Sequence, residues 1–383
     1  MARLSEYYET AKQKVLTSCV RCGKCVSGCR VMPFSRIKPD PRKTQQDIID
    51  FLSGGKELSP AGRFKLNSCM RCYGCLEVQC PIGVNSMLIT ELLAREIQFR
   101  KEKPWDMPLY PIHEGLARKG TTAEEYEKIS RERADANADY LFFPGCNVYK
   151  QPDKILNALD ILDAIGNGYS FAPGLTYCCG SSSRGSRGDA DWLQNAAEKL
   201  FGLGERLKIK AMIFWCPTCL SVLQSRIRQF LQPSFACISF PRYVSRHLDK
   251  LTFTDSAPRT VTYHEPCKNA YMDIEADCVR QVLRAIPGTT LVEMKHHGKD
   301  TMCCGCRTVD GMPELGNEVT MTRLREAAET GADAMIDLCH NCHWIFVSAA
   351  KAHPELQFSL RIENFSAYVA RAAGVRRKDS LQD

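Results

Sequence analysis

At 383 residues, with 44% hydrophobic and 25% charged side chains, the chain has the make-up of a globular protein with two or three domains. Its 21 cysteines are far too many for ordinary use, yet a disulfide scaffold is excluded: the chain is long, and its first 20 residues hold Arg3, Lys12 and Lys14 but no apolar signal core. No run approaches 18 apolar residues, which excludes a membrane span, so clustered cysteines read as metal ligands in a reducing cytoplasm.

Residues 1–18 predict an amphipathic helix, with Leu4, Tyr7, Tyr8, Ala11 and Val15 at helical spacing. Then comes Cys19-x2-Cys22-x2-Cys25-x3-Cys29, and later Cys69-x2-Cys72-x2-Cys75-x4-Cys80-Pro81. Three cysteines at three-residue spacing let one turn of chain wrap a cubane corner, and the fourth cysteine of each run reaches the other run's cluster. Zinc favours separated C-x2-C pairs and needs only four ligands per ion, so the spacing points to two cubane 4Fe–4S clusters. Arg30 stands where proline usually follows the fourth cysteine, and its charge would raise the potential of a nearby cluster. The second run carries one extra residue before Cys80, which local chain should absorb. Between the runs, Thr44 to Leu52 predicts a helix stopped by Gly54-Gly55, and Asn85 to Lys103 predicts another that Pro104 ends. Residues 1–103 therefore read as an α-helical ferredoxin domain. Residues 104–139, rich in charge and proline, read as a linker with one exposed helix, Thr122 to Ala136, or as a disordered spacer.

The rest of the chain is a duplication. Cys146-x31-Cys178-Cys179-x36-Cys216-x2-Cys219 is followed by Cys267-x35-Cys303-Cys304-x34-Cys339-x2-Cys342. Both doublets precede glycine, and Ala211-Met212-Ile213 recurs as Ala334-Met335-Ile336 at an offset of 123 residues. This is a metal-binding module of about 120 residues present twice, over residues 140–258 and 259–375. Strand signals at Tyr140 to Phe143, Ala211 to Trp215, Val261 to Tyr263 and Ala334 to Leu338 run into cysteines, and helical segments such as Ala190 to Leu203 and Gly316 to Thr330 separate them. Alternating strands and helices predict an α/β parallel sheet in each module, with the cysteines at the carboxyl ends of strands. Each C-x2-C should open a helix whose N-terminal dipole favours thiolate.

With two cubane motifs ahead of this double frame, the chain resembles the cysteine-rich (CCG) family of heterodisulfide reductase subunits. The nearest layout is a fused subunit that joins the small two-cubane chain to the catalytic chain. Tyr263-His264-Glu265-Pro266-Cys267 and Glu326-x4-Gly331-Ala332-Asp333 are also similar to that family. The resemblance implies a noncubane 4Fe–4S cluster in each frame. Its ligands, which would also carry the chemistry, are Cys146, Cys178, Cys179, Cys216 and Cys219 in one and Cys267, Cys303, Cys304, Cys339 and Cys342 in the other. The iron–sulfur subunits of glycolate and lactate oxidation are related, but their second frame usually reads Cys-Cys-Gly-x-Gly-Gly, where this chain has Cys303-Cys304-Gly305-Cys306-Arg307-Thr308. Four anionic clusters would bring the formal charge of +7 to about −3, so nucleic acid is set aside as a partner.

Three cysteines stay outside these sets: Cys237 and Cys278 read as ordinary packed thiols, while Cys306 lies two residues past a ligand. Gly180 to Gly188, with Arg184 and Arg187, reads either as an anion cradle or as a turn over the cluster; it lacks the Lys-Ser/Thr of a P-loop. Arg307 could steer an anion, and His264 and His340 would hydrogen-bond near the clusters or deliver a proton. No flavin or nicotinamide motif is present, so a partner must supply electrons: a flavin-containing or bifurcating, heterodisulfide reductase A-like subunit, or a membrane quinone or cytochrome subunit. Any membrane association of this cytoplasmic chain would run through that partner. Two functions follow. Either electrons pass from the cubanes to paired noncubane centres that reduce a disulfide or oxidise two thiols, or the clusters only relay electrons to another oxidoreductase. The first predicts two modules related by a pseudo-two-fold axis, with a cleft between them.

Overall fold

The computed structural model describes residues 3–34, 38–69, 72, 74–77, 80–84, 86–100, 120–179, 190–224, 231–268, 276–306, 313–354 and 360–374. The chain divides into two compact units, residues 1–109 with 180–194 and 305–321, and residues 110–179 with 195–304 and 322–383.

Among its described residues, the N-terminal part of the first unit is helical. Helix α1, Leu4–Ser18, buries Leu4, Tyr8, Ala11 and Val15. Helix α2, Pro41–Leu52, starts where the Asp40 carboxylate accepts from the Lys43 backbone N–H at 2.7 Å, with proline in the first turn. Helix α3, Pro60–Asn67, repeats the device with the Ser59 hydroxyl and Gly62 at 3.1 Å. All three pack on α4, Ser86–Phe99. Polar ties lock this packing: Tyr8 donates to Glu91 at 3.1 Å, and Glu96 takes Lys12 at 2.6 Å and Arg100 at 2.8 Å.

The second unit holds two four-stranded parallel sheets of identical order. In the first module β1 (Tyr140–Gly145), β2 (Tyr169–Pro173), β3 (Ala211–Phe214) and β4 (Ala236–Ser239) lie in the order β2-β1-β3-β4. In the second, β5 (Arg259–Tyr263), β6 (Thr289–Val292), β7 (Ala334–Asp337) and β8 (Arg361–Asn364) lie in the order β6-β5-β7-β8. The central strands are covered on both faces, so Leu141, Phe142 and Phe143 are consecutive and all buried. Helices α6 (Pro152–Ile165), α7 (Ala190–Leu207), α8 (Pro217–Val222) and α9 (Phe240–Ser245) belong to the first module. Their counterparts are α10 (Ala276–Ala285), α11 (Pro313–Ala328), α12 (His340–Ala352) and α13 (Phe365–Ala372). Each module lays its last helix on the other: α13 packs on α6, and α9 packs on α10. Trp215 Nε1 donates to Ser366 Oγ across this junction at 2.8 Å, and the rings of Phe240 and Phe365 meet edge-on.

Residues 120–139 differ from the linker expectation. Helix α5 spans only Ala123–Ser130. The chain then straightens, and Arg133 bridges Phe171 of β2 through both backbone hydrogen bonds, at 3.0 and 2.7 Å. Its guanidinium lies over the Phe171 ring, and Ile129 is buried. The segment is therefore part of the first module's surface layer. Residues 101–119 lie outside the described residues.

Candidate metal centres

The cysteines of the first run sit at breaks between helices. Cys19 ends α1 in an extended conformation. Gly23, just past Cys22, turns the chain at φ +74°; a Cβ there would lie 2.4 Å from the Pro41 carbonyl carbon, so only glycine lets the loop pass α2. Cys25 sits in a helical turn, Lys24–Ser27. Cys19, Cys22, Cys25 and the distant Cys80 line a cavity of about 30 Å³ closed by apolar side chains such as Val15 and Ile89. Burial pushes the Cys25 thiol up to about 11 against the pull of Lys65, and Cys19, Cys22 and Cys80 add to the rise. The reciprocal group is Cys75 with Cys69, Cys72 and Cys29; burial raises the Cys75 thiol, and those three reinforce it. Four thiols around an apolar cavity fit a 4Fe–4S cluster, in which iron replaces the protons that burial keeps on sulfur.

Three residues that the spacing did not reveal complete this region. Gln45, buried on α2, accepts from Cys25 Sγ at 3.0 Å and donates to Cys19 Sγ at 3.7 Å. Lys65 is buried on α3, and its ammonium donates to the Cys25 carbonyl at 2.8 Å. Burial pulls its pKa down, but Cys29, Cys75, Cys69 and Cys25 outweigh that and hold it above the ordinary value. Gly74, between Cys72 and Cys75, makes room for the Arg30 stem, whose Cδ would be 3.1 Å from a Cβ there. Arg30 was legible in the sequence; Gln45 and Lys65 were not, since nothing local to either points at a cysteine.

The five cysteines of the first frame come together as a chain of thiols, all buried. β1 ends at Gly145 and hands over Cys146; β3 ends one residue before the Trp215-Cys216 turn that opens α8. Cys146 bonds to Cys178, and that contact and then burial push it well up. Cys179 is pulled down to about 5 by bonds from Cys178 and Cys219, the latter at 3.2 Å between sulfurs. Cys216 is pulled well down by Cys219 and then by Cys339, which belongs to the other frame.

In the second frame Cys339 caps α12 as Cys216 caps α8. Cys339 is raised by its bond to Cys216, lies against Cys342, and feels Cys304. Cys267 and Cys303 are half-buried. A ring nitrogen of His264 and the sulfurs of Cys304 and Cys342 lie within 4.8 Å of one another. Arg323 Nε donates to His264 Nδ1 at 3.1 Å; burial and then the Arg323 charge push the imidazole's pKa well down. His340 stands at the junction of the frames. Lys150 Nζ is 3.1 Å from its Nε2, the Gln151 amide reaches its carbonyl, and burial and then Lys150 lower its pKa. Lys150 and Arg323 were missed by sequence reasoning. Cys237 lies buried in β4, Cys278 in the first turn of α10, and Cys306 is half-buried. Arg184, Arg187 and Arg307 lie outside the described residues.

Two known domains match the stretches of chain that hold these cysteine sets. Residues 140–224 and 261–346 each match the CCG cysteine-rich domain, and residues 18–85 match the 4Fe–4S dicluster domain. The D subunit of dihydromethanophenazine:CoB–CoM heterodisulfide reductase from Methanosarcina barkeri is 24% identical over 94% of both chains. The chain is a heterodisulfide reductase-like CCG-domain iron–sulfur protein. The B subunit of fumarate reductase (CoM/CoB) from Methanothermobacter marburgensis is 25% identical, covering 88% of this chain and 68% of its own. The C subunit of anaerobic glycerol-3-phosphate dehydrogenase from Escherichia coli K12 is 24% identical over 66% of this chain and 64% of its own. All three are oxidoreductase subunits, and the CCG and dicluster domains make this chain an iron–sulfur subunit of that kind. No described helix is long and apolar enough to cross a membrane.

Proposed function

We propose that this chain passes electrons from two cubane clusters to two noncubane 4Fe–4S clusters, one in each five-cysteine frame, and that the paired centres interconvert a disulfide and two thiols. One observation carries the reading: Cys216 and Cys339, equivalent residues of the two modules, touch each other. The cubanes would take Cys19, Cys22, Cys25 and Cys80, and Cys69, Cys72, Cys75 and Cys29. Reducing a disulfide needs two electrons and two protons and leaves two thiols, while an iron–sulfur centre moves one electron at a time. Two centres within one junction supply the pair. The contact of equivalent residues, the identical strand orders and the exchanged last helices support a pseudo-two-fold relation between residues 140–258 and 259–375. Arg184, Arg187 and Arg307 would steer an anionic substrate toward it. Electrons would come from a flavin-containing or bifurcating partner, or from a membrane quinone or cytochrome partner, within a multi-subunit complex at the cytoplasmic face.

The burial of every first-frame cysteine favours a second reading, a pure relay between a flavin or quinone partner and another oxidoreductase. The test is to add candidate thiols, coenzyme thiols included, to the anaerobically oxidised protein and record low-temperature EPR. A thiol-dependent signal that disappears in Cys179→Ser or Cys304→Ser establishes disulfide chemistry. Clusters that no thiol perturbs leave the relay.

A further inference from the structure

The two modules repeat their frames but not the side chains behind them. At the 123-residue offset, helix α7 begins at Ala190 and α11 at Pro313. The strand registers Phe142↔Ile213 and Tyr263↔Ile336 then set Phe143 opposite His264 in the comparison. Leu200 corresponds to Arg323, and Leu203 to Glu326. In the first module the corresponding Phe143, Leu200 and Leu203 are apolar, each at most 5% exposed. In the second, equally buried positions hold a hydrogen-bonded chain. Arg323 donates through Nε to His264 and through Nη1 to Glu326 at 2.8 Å and to the His296 carbonyl at 2.9 Å.

Arginine has no acceptor, so the His264 Nδ1 that receives its N–H must present a lone pair. The proton of the neutral ring is then on Nε2. That atom is wholly buried and has no partner among the described residues. The ring sits beside the sulfurs of Cys304 and Cys342. A histidine in this tautomer is a donor, not a ligand, because ligation through Nε2 would require loss of its proton.

We propose that His264, fixed by Arg323, donates its Nε2–H to a sulfur of the second module's cluster. The first frame meets a different histidine, His340, at Cys216. The inference rests on the reading that both frames bind clusters. A hydrogen bond to cluster sulfur stabilises the reduced, more negative state and raises the potential. His264 therefore holds the second module's centre at a higher potential than that centre would have without it. Another replacement in the second module, Asp337 and His343 where the first has Phe214 and Leu220, is hydrogen-bonded within its own set. The Asp337 oxygens are taken by His343 Nδ1 at 2.7 Å and the Asn364 amide at 2.9 Å.

The experiment uses full-length protein, purified anaerobically, with ¹⁵N-labelled histidine and exchange into D₂O. Pulsed EPR of the wild type should show a CCG centre with a strongly coupled exchangeable deuteron and a weakly coupled, non-ligating histidine nitrogen. His264→Phe, which installs the first module's residue, should abolish both couplings, leave iron content unchanged and shift one midpoint potential downward. Arg323→Gln should shift the same centre in the same direction with the histidine still present. A directly coordinated nitrogen, or the loss of one cluster's iron in a folded His264→Phe protein, would make His264 a ligand and overturn the proposal. Couplings and potentials unchanged in His264→Phe would also overturn it. Iron sufficient only for the ferredoxin motifs would sink the underlying reading instead.

Discussion

Single residues decide whether the cysteines can converge. Gly305 closes the second doublet at φ +86°, and a Cβ there would meet the Gly316 carbonyl oxygen at 2.5 Å and Thr320 Oγ1 at 2.6 Å. Both a left-handed backbone and a close approach are required, so the glycine of the motif is steric in origin. Gly305→Ala should cost about 2–5 kcal/mol, from backbone strain plus overpacking, and should be read as a lower unfolding midpoint with loss of second-frame iron; a variant with wild-type stability and iron would refute the steric account. Lys65 acts through charge instead. Its ammonium is buried against the Cys25 carbonyl, among cysteines of both runs. A fixed positive charge beside an anionic cluster stabilises the reduced form. Lys65→Met, which keeps the stem, should lower the midpoint potentials of the ferredoxin-type centres in a redox titration, and unchanged potentials would show the charge to be screened. A third residue effect is structural. Glu265 is wholly buried; it is paired with Arg280 at 3.0 Å, which also holds Glu293, and accepts from the Gly298 N–H at 2.7 Å. Arg280→Ala strands that carboxylate and should cost about 3–5 kcal/mol in chemical denaturation; Arg280→Lys should recover part of it.

At the scale of elements, α4 is the piece on which the helical region depends, and its ties are partly ionic. Burial pushes the Glu96 carboxyl up, but hydrogen bonds from Lys12 and Arg100 outweigh it and leave the pKa below its ordinary 4.5. A carboxylate depressed on folding contributes stability that is complete above the ordinary value and is lost as pH falls through the lower folded value. Stability of this region should therefore decline below about pH 4.5, and Glu96→Gln should flatten the decline when unfolding is followed against pH. An acid limb identical in the variant would assign the loss to other groups. The elements also show what a sequence can and cannot carry. Strands β1, β3 and β7 were legible because buried apolar residues run on toward cysteines, and β5 because Val261 and Tyr263 precede Cys267. Their neighbours were not. β8 reads Arg361-Ile-Glu-Asn364, and β6 reads Thr289-Thr-Leu-Val292, both only four residues long. Such edge strands are fixed by pairing with β7 and β5 and by contacts such as Glu363 with Arg371 at 2.7 Å, not by their own pattern. Helix α5 stopped short of its expected end for the same reason: Arg133 gains two backbone bonds to Phe171, which a longer helix would forgo.

For the molecule as a whole, the cysteine groupings were legible, because runs of Cys-x2-Cys and the doublets are local and repeated. The junction was not local. His264 and Arg323 are 59 residues apart, and Lys150 and His340 are 190 apart; only comparing the modules position by position would have singled out Arg323 against Leu200. That comparison also sets the whole-molecule expectation. Eight cysteines lie in two groups of four, and ten lie in two frames that meet at Cys216 and Cys339. Two cubanes and two noncubane centres would contain about 16 iron atoms per chain, four for each cluster. Anaerobically purified protein should approach that value by metal analysis, with matching acid-labile sulfide. Iron near 8 with intact ferredoxin spectra would confine clusters to the N-terminal motifs, and tight zinc in place of iron would refute the clusters altogether. With its clusters loaded, the isolated chain should still fail to oxidise NADH or NADPH, because no sequence motif for a dinucleotide precedes any of its helices. Adding a flavoprotein partner should restore electron entry. Direct reduction by NADH at catalytic rates, with no flavoprotein present, would reveal a cofactor site in this chain and make the partner unnecessary.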